Sequence, residues 1–283
     1  ASLSSGLGQI NVFVDMFFAS SFPGAASGLA YGNFLIQAPL GILSNSLILP
    51  FLPKISKLIK ENESKKLQIT IFKTTENVFL TTFFLTGFFI AYNDQIIQVI
   101  FQRGAFNYDA SLTVKKILIA YAIGIPFYLL RDLLIRIFYA LEKIKLPFNL
   151  SLIGIGLNIA FDWILIGGPI INSGNIFSFN FGISGIVLAS GFVNFIISLL
   201  LAINLKIKDR TIVNRFLLKK VLLIFIAFLM TTLFSIKISD LLLLKNEGFS
   251  NTTLELVMGF LIFSTLYFLI TKFFKVNPFK IQL

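Results

Sequence analysis

The sequence lacks cysteine and histidine altogether, and only 13% of its 283 residues are charged. Without cysteine, the chain can form neither disulfide bonds nor thiolate metal sites. Without histidine, it has neither the usual zinc ligand nor the usual general base near neutral pH. These absences argue against hydrolytic and metal-dependent enzymes, so we expect a protein that is not an enzyme and has no organic cofactor.

Apolar side chains are correspondingly abundant, because 56% of the residues are hydrophobic and 34 residues are phenylalanine. About a quarter of the residues of a soluble domain are charged, so the apolar excess here must face lipid. A bilayer core about 30 Å thick requires about 20 apolar residues per helix. The pattern predicts an all-α integral membrane protein with eight transmembrane helices. The predicted spans are residues 7–22, 28–50, 75–92, 112–140, 148–167, 182–204, 217–236 and 253–271.

The net charge of +11 is distributed in a way that argues against a nucleic acid partner. Most of the 24 lysine and arginine residues lie in the connections that follow spans two, four, six and eight. This alternation is typical of the positive-inside rule, and a basic surface for DNA has no reason to show it. It predicts that these connections and both ends of the chain are cytoplasmic. The basic segment 54–66 is either an ordinary solvated connection or a patch for lipid headgroups or a partner.

Charged residues at bilayer depth are expensive and therefore indicate function. The four that stand out are Asp15, Arg131, Asp132 and Asp162. Asn158 and Asp162 are spaced i, i+4 on one face of the fifth span, and Asp15 and Ser190 lie at similar depth. Two carboxylates, an amide and a hydroxyl are hard oxygen donors, which suit Na⁺ or a proton better than a transition metal. The alternative is that these side chains make separate polar contacts between helices.

Arg131 and Asp132 are adjacent in the fourth span, so their side chains point about 100° apart on a helix. Asp132 and Arg136 are an i, i+4 pair and could neutralise each other. Arg131 is then left to pair with another helix or to face a watery cavity or an anionic ligand. The sequence leaves both outcomes open.

Several segments in residues 1–160 together form a recognisable pattern. They are residues 9–20 (QINVFVDMFFAS), 31–39 (YGNFLIQAP), 40–42 (LGI), 49–53 (LPFLP), 120–124 (AYAIG) and 138–140 (FYA), followed by Pro147. Arg103, Gly104 and Phe106 form an RGxF motif between them. In order and spacing these segments resemble the MurJ (MviN) flippases, and most of all their cyanobacterial branch, in which the RGxF motif lies in an outer loop.

This resemblance implies a place in the MATE-like (MOP) transporter superfamily, whose flippase members have fourteen helices. The eight predicted spans then correspond to helices seven to fourteen, and the N-terminal lobe is missing from the chain. Residues 1–205 are expected to form one six-helix lobe, and residues 206–283 two additional helices that make a lipid-facing groove. The implied activity is alternating-access transport of lipid II, the lipid-linked peptidoglycan precursor, in a bacterial inner membrane.

The resemblance also implies a coupling ion, Na⁺ or H⁺, held between the family's helices seven, eleven and twelve. By motif position its ligands are Asp15, Asn158, Asp162 and Ser190, with a backbone carbonyl near Ile186. The four side chains, without Ile186, are those that the depth argument had already grouped.

One position departs from the family pattern, because Phe34 stands where many members have an arginine that is thought to bind the diphosphate. The candidate substrate and cavity residues are Asn33, Gln37, Arg131 and Asp132. The departure leaves open a flippase for another lipid-linked oligosaccharide or a MATE-like drug or cation antiporter. From a different class, a non-transporting membrane scaffold with basic connections also remains open.

Overall fold

The computed structural model describes residues 2–101, 108–168, 179–207, 210–211, 215–242 and 249–276. These residues form α-helices joined by short turns, with one π-helical turn and one short hairpin. The helices are α1 (Ser2–Ala19), α2 (Ala25–Leu43), α3 (Phe51–Lys60), α4 (Ser64–Ala91), α5 (Asn93–Ile100), α6 (Tyr108–Ala140), α7 (Lys145–Leu165), α8 (Ile183–Asn204), α9 (Arg215–Leu242) and α10 (Phe249–Phe273). The predicted all-α class is confirmed.

Six helical segments within the described ranges are long and apolar enough to cross a membrane, and a seventh results if α4 and α5 form one span. α1 contributes only the shorter apolar helix Gln9–Ala19. The multi-pass architecture is therefore established, whereas the count of eight stays a prediction. The six segments are Ala25–Lys60, Ala110–Ala140, Lys145–Leu165, Ile183–Asn204, Arg215–Ser239 and Asn251–Phe273.

The second predicted span was too short, because helix continues beyond its predicted end at residue 50. A π-helical turn, Ser44–Ile48, follows α2, and α3 begins at Phe51. Ile55 and Leu58 of α3 are buried, while its lysines lie on the opposite, exposed face. The first half of the basic segment 54–66 is therefore a packed amphipathic helix and not a plain solvated connection.

The third predicted span also differs, because α4 begins at Ser64 and the chain then bends by 76° into α5. A hydropathy window misses both features, since the start of α4 is polar and α5 is short. Asn93 at the bend donates a hydrogen bond of 3.1 Å from Nδ2 to the backbone oxygen of Lys115 in α6. The Lys115 ammonium in turn lies 2.6 Å from a carboxylate oxygen of Asp94. These contacts attach α5 to α6.

α6 is the central helix of the described structure and packs against α8, α4 and α2. Its buried apolar residues recur at helical spacing, which gives the wide apolar stripe expected of a core helix. Fully buried members of this stripe are Leu118, Ile125, Leu129, Leu133 and Ile137. The backbones of α6 and α8 approach closely at Gly124 and Gly191, where a β-carbon added to either glycine would touch the other residue. Small residues permit such close crossings between membrane helices.

A two-stranded hairpin connects α8 to α9, which is a small exception to the all-α prediction. Lys206 pairs with Thr211 and Ile207 with Arg210 in antiparallel register. The backbone oxygen of Ile207 accepts a hydrogen bond of 3.0 Å from Nε2 of Gln68, so the hairpin is attached to α4. The domain division predicted between residues 205 and 206 falls at this hairpin and remains a prediction.

α9 and α10 dock on α4 through polar contacts as well as apolar ones. The Lys220 ammonium of α9 lies 3.2 Å from a carboxylate oxygen of Glu76 and donates a hydrogen bond of 2.8 Å to the backbone oxygen of Lys275. The buried Tyr267 of α10 donates its hydroxyl proton to the backbone oxygen of Leu80, at 2.8 Å. Since lipid cannot satisfy such groups, these bonds fix the register of the two helices on the lobe.

Gly87 of α4 makes this docking possible and provides a test of it. A β-carbon at this position would lie 2.6 Å from the Thr232 hydroxyl oxygen and 2.7 Å from the Phe263 ring. Because overpacking a filled interface costs about 1–3 kcal/mol, we expect Gly87→Leu to lower the melting temperature of the purified intact protein in detergent. Gly41→Leu is the control, since a β-carbon there would meet nothing within 4 Å. Equal melting temperatures of the two variants would contradict this packing.

Candidate functional site

Four polar side chains predicted to lie at similar depth converge on one point between α1, α7 and α8. The Asn158 amide nitrogen donates to Asp15 Oδ1 at 2.8 Å and to Asp162 Oδ2 at 3.0 Å. The Ser190 hydroxyl lies 3.1 Å from Asn158 Oδ1 and 3.4 Å from Asp15 Oδ2, and its single proton can bond one of them at a time. Both aspartates are therefore bound by the same amide, and one hydroxyl stands beside it. Their predicted role as cation ligands remains a prediction.

The helices place these groups because each residue faces a packed interface. Asn158 and Asp162 lie one turn apart on the buried face of α7, which packs against both α1 and α8. Asn158 is 1% exposed and Asp162 is 0% exposed. An apolar cluster that includes Phe18, Leu29, Ile166, Ile186 and Val187 packs nearby. The Asp162 carboxylate is therefore surrounded by a medium in which charge interactions are strong, whereas Asp15 is half-buried.

One oxygen of the cluster has no partner within the described part of the chain. Asp162 Oδ1 is buried and accepts no hydrogen bond, although Oδ2 of the same carboxylate does. Two carboxylates held at one buried site repel each other unless a proton or a cation compensates their charge. The free oxygen is thus a position at which a proton or a small cation would be stabilised.

The donor set fits a monovalent hard cation. It offers carboxylate oxygens from Asp15 and Asp162, the amide oxygen of Asn158 and the hydroxyl of Ser190, which are the ligand types that hard cations prefer. Among the described residues there is no group of three or more acidic, histidine or cysteine side chains that could hold a metal ion. Ile186, whose backbone carbonyl was a further candidate, is buried one turn before Ser190 in α8. Bound Na⁺ would neutralise half of the charge of the aspartate pair.

Arg131 pairs with another helix, which is one of the two outcomes left open, but its partner is neutral. Its Nη1 donates a hydrogen bond of 2.8 Å to Oδ1 of Asn194 in α8, while its Nε is buried without a partner in the described chain. Asn194 in turn donates 2.8 Å from Nδ2 to the backbone oxygen of Ser190. The sequence prediction missed Asn194. Its signal was the i, i+4 spacing from Ser190 in the middle of a predominantly apolar helix.

The remaining predicted residues do not join the cluster. Asp132 forms the expected ion pair with Arg136, with Nε 2.8 Å from Oδ1, and also accepts a hydrogen bond of 3.1 Å from the Ser44 hydroxyl. Asn33, Phe34 and Gln37 are exposed on α2, and Phe34 is 67% exposed. The motif residues Arg103, Gly104 and Phe106 lie outside the described residues.

The helix arrangement is similar to that of solved transporters of the MOP superfamily. One similar solved structure is an outward-facing MATE multidrug resistance transporter of this superfamily, with a TM-score of 0.60 and 15% identity. It is matched over 95% of this chain and 62% of its own. Another is a lipid II flippase MurJ in an inward closed conformation, with a TM-score of 0.70 and 24% identity over 95% of this chain and 52% of its own.

The family follows from sequence. The family model described as lipid II flippase MurJ matches residues 1–271, and the chain belongs to that family. A probable lipid II flippase MurJ of Synechocystis sp. is 41% identical over 194 residues, which are 69% of this chain and 34% of the relative. One of Rickettsia prowazekii is 31% identical over 158 residues, 56% of this chain and 31% of the relative. The chain thus spans about a third of the length of these curated relatives, and the resemblance inferred from the sequence is confirmed.

The aspartate cluster can be tested by replacing the carboxylate that has the free oxygen. If Na⁺ binds there, it stabilises the folded protein, and at a given Na⁺ concentration this stabilisation increases as the dissociation constant falls. We expect Asp162→Asn to weaken the affinity for Na⁺ by about tenfold or more, since a loss of about 1.4 kcal/mol has that effect. The measurement is the melting temperature of the purified intact protein over a titration with NaCl, with choline chloride at matched ionic strength.

Asp94→Asn is the matched control, because Asp94 is an exposed aspartate that pairs with Lys115 outside the cluster. This variant should leave the dependence of the melting temperature on Na⁺ unchanged. Identical shifts of the melting temperature with Na⁺ and with choline in the wild type would show that there is no Na⁺ site. Identical Na⁺ titrations of the wild type and Asp162→Asn would show that Asp162 is not one of its ligands.

Proposed function

We propose that the chain is part of a flippase that moves lipid II from the inner to the outer leaflet of a bacterial inner membrane. The match to the lipid II flippase MurJ family over residues 1–271 carries this proposal. The protein works as a transporter that makes and breaks no covalent bonds. Its partners are the lipid-linked substrate and the surrounding membrane lipids.

The chemistry of such a substrate has two parts, and the structure offers a surface for each. An undecaprenyl diphosphate lipid has a large anionic headgroup and a long apolar tail, which can stay in lipid while the headgroup crosses. For the headgroup, Arg131 has a buried Nε without a partner in the described chain, and no carboxylate there lies at ion-pair distance from it. An arginine in this state suits an anion, because phosphate oxygens satisfy the donors of a guanidinium.

For the tail, two apolar cavities flank the last two helices. One of about 410 Å³ lies between α2, α4 and α10 and is lined by residues such as Ile42, Leu47, Leu80, Phe84 and Phe268. The other, of about 630 Å³, lies between α4, α6, α8 and α9. Such surfaces favour a polyprenyl chain over a hydrated group, because burial of apolar area stabilises the complex. They support the lipid-facing groove that was predicted for residues 206–283.

Cation binding supplies a physical means of changing conformation. The two aspartates come from α1 and α7, and Ser190 comes from α8, so a bound Na⁺ or proton holds three helices together at one depth. Without compensation, repulsion between the carboxylates favours their separation. A ligand shifts a conformational equilibrium by its difference in affinity between the states. We propose that the ion stabilises one state of an alternating-access cycle in this way.

The positions of the lysines support one orientation of the chain in the membrane. Lys54, Lys57 and Lys60 of α3, with Lys206 and Lys219, belong to connections that the positive-inside rule assigns to the cytoplasm. Both ends of the chain are then cytoplasmic, and the outer ends of α1, α7 and α8 face the periplasm. In this orientation the aspartate cluster lies between mid-membrane and the outer surface.

A second cargo is favoured by one observation, the exposed Phe34 in place of an arginine. An apolar ring at a position that many family members use for the diphosphate changes how the headgroup is recognised. Another lipid-linked oligosaccharide is therefore the second candidate. A drug or cation antiporter would instead require acidic groups in the cavity, whereas Arg131, whose buried Nε has no partner in the described chain, favours an anion.

Depletion of the protein in its natural host tests the proposal. We expect lipid II in the outer leaflet to fall to background, because transport is required for its exposure, and to return when the intact gene is restored. The measurement is labelling of lipid II by a probe that cannot cross the membrane. Undiminished labelling after depletion would contradict the proposal. Accumulation of a different lipid-linked oligosaccharide on the inner leaflet would favour the second cargo.

A further inference from the structure

Asn194 joins the mid-membrane arginine to the aspartate cluster. Its side-chain oxygen accepts the hydrogen bond from Arg131 of α6, and its nitrogen donates to the backbone oxygen of Ser190 in its own helix. The hydroxyl of Ser190 lies against Asn158 and Asp15. Hydrogen bonds, joined through the covalent frame of Ser190, therefore lead from the guanidinium to the carboxylates.

Neither end of this path is neutralised by an ion pair between described residues. Arg131 has only the neutral Asn194 as its hydrogen-bond partner, and its Nε is buried with none. At the other end, Asp162 Oδ1 is buried with no hydrogen bond. Unpaired charges of opposite sign in one apolar interior are costly unless each has a ligand. The arrangement therefore suits a cation at one end and an anion at the other.

We propose that Asn194 couples these two ends, so that a cation among the aspartates and an anionic diphosphate group at Arg131 strengthen each other's binding. The inference rests on the proposed function, from which it takes both ligands. Asn194 contacts neither of them and acts as a positioning residue. Its role is to make the conformation of the Arg131 guanidinium depend on the position of the α8 turn that contains Ser190.

The physical basis is that the Asn194 amide has one useful orientation. With its NH₂ group on the carbonyl of Ser190, its oxygen faces Arg131. A cation that takes up lone pairs of Asp15 and Ser190 fixes this turn of α8 against α1 and α7. The fixed amide then holds the guanidinium in one rotamer, and an arginine that is already ordered binds an anion more tightly. By linkage, the anion strengthens cation binding by the same factor.

Binding of two simple probes to the intact protein in nanodiscs tests the coupling. The probes are inorganic pyrophosphate and Na⁺, with choline replacing Na⁺ at constant ionic strength, and the readout is calorimetric affinity. In the wild type we expect Na⁺ to tighten pyrophosphate binding about fivefold or more, which is the range of ordinary allosteric couplings. In Asn194→Leu, which keeps the branched shape of the side chain and removes both hydrogen bonds, pyrophosphate affinity should be the same in Na⁺ and in choline.

Asn204→Leu is the matched control in the same helix. Asn204 makes the same type of bond, donating 2.8 Å from Nδ2 to the backbone oxygen of Leu200 one turn earlier, but it is exposed and lies at the end of α8, far along the helix from Ser190. This variant should keep the coupling of the wild type. A general effect of losing an asparagine from α8 would change both variants alike and would overturn the inference.

The outcomes separate the inference from the proposed function. If Asn194→Leu keeps the wild-type coupling, or if both probes bind the wild type independently, the inference is wrong and the proposed function stands. If the wild type binds neither probe, the inference and the proposed cation and anion sites fail together. Should Asn194→Leu not fold, Asn194→Ser replaces it. A serine keeps the bond to the preceding turn, as Ser151 does with Pro147 at 2.8 Å, but is too short to reach Arg131, so coupling should again be lost.

Discussion

The bridge from Asn158 to two aspartates is the interaction on which the rest of the structure depends. Carboxylates at bilayer depth are tolerated only when neighbouring groups bind them, since lipid offers no hydrogen bonds. One amide nitrogen binds both Asp15 and Asp162, so α1 and α7 must meet at one depth and in one rotation. The same amide, through its oxygen, brings Ser190 and therefore α8 to this point. Three helices are thus positioned by the need to bind charge.

Apolar packing between the helices holds them in the positions that this hydrogen-bonded bridge requires. α6 carries the buried stripe of the lobe and crosses α8 where Gly124 and Gly191 allow the backbones to touch. Arg131 lies two turns beyond this crossing on α6, and Asn194 lies about one turn beyond it on α8. The two side chains can therefore meet without bending either helix. Polar contact and close packing at this interface are consequences of the same crossing.

The sequence predicted the cluster well because its members follow rules that act within one helix. Helical spacing places Asn158 and Asp162 on one face, and position within a span gives the depth of Asp15 and Ser190. No such rule pairs Arg131 with Asn194, because that contact depends on the crossing of two helices distant in sequence. α3 and α5 were missed for a different reason, since a hydropathy window does not respond to short or amphipathic helices. The family resemblance identified positions, but it could not provide contacts between side chains.

Asn194, a neutral residue between the arginine and the aspartates, explains how both charged ends can remain available to ligands. A direct ion pair between Arg131 and Asp15 or Asp162 would satisfy both groups and would have to be broken before either could bind a ligand. Buried ion pairs are costly to separate, so such an arrangement would favour one static structure. An asparagine in between orders the guanidinium through a hydrogen bond while leaving its charge uncompensated. The cost of the two buried atoms without a partner, Arg131 Nε and Asp162 Oδ1, then falls on the unliganded state, and this raises the affinity for the ligands that relieve it.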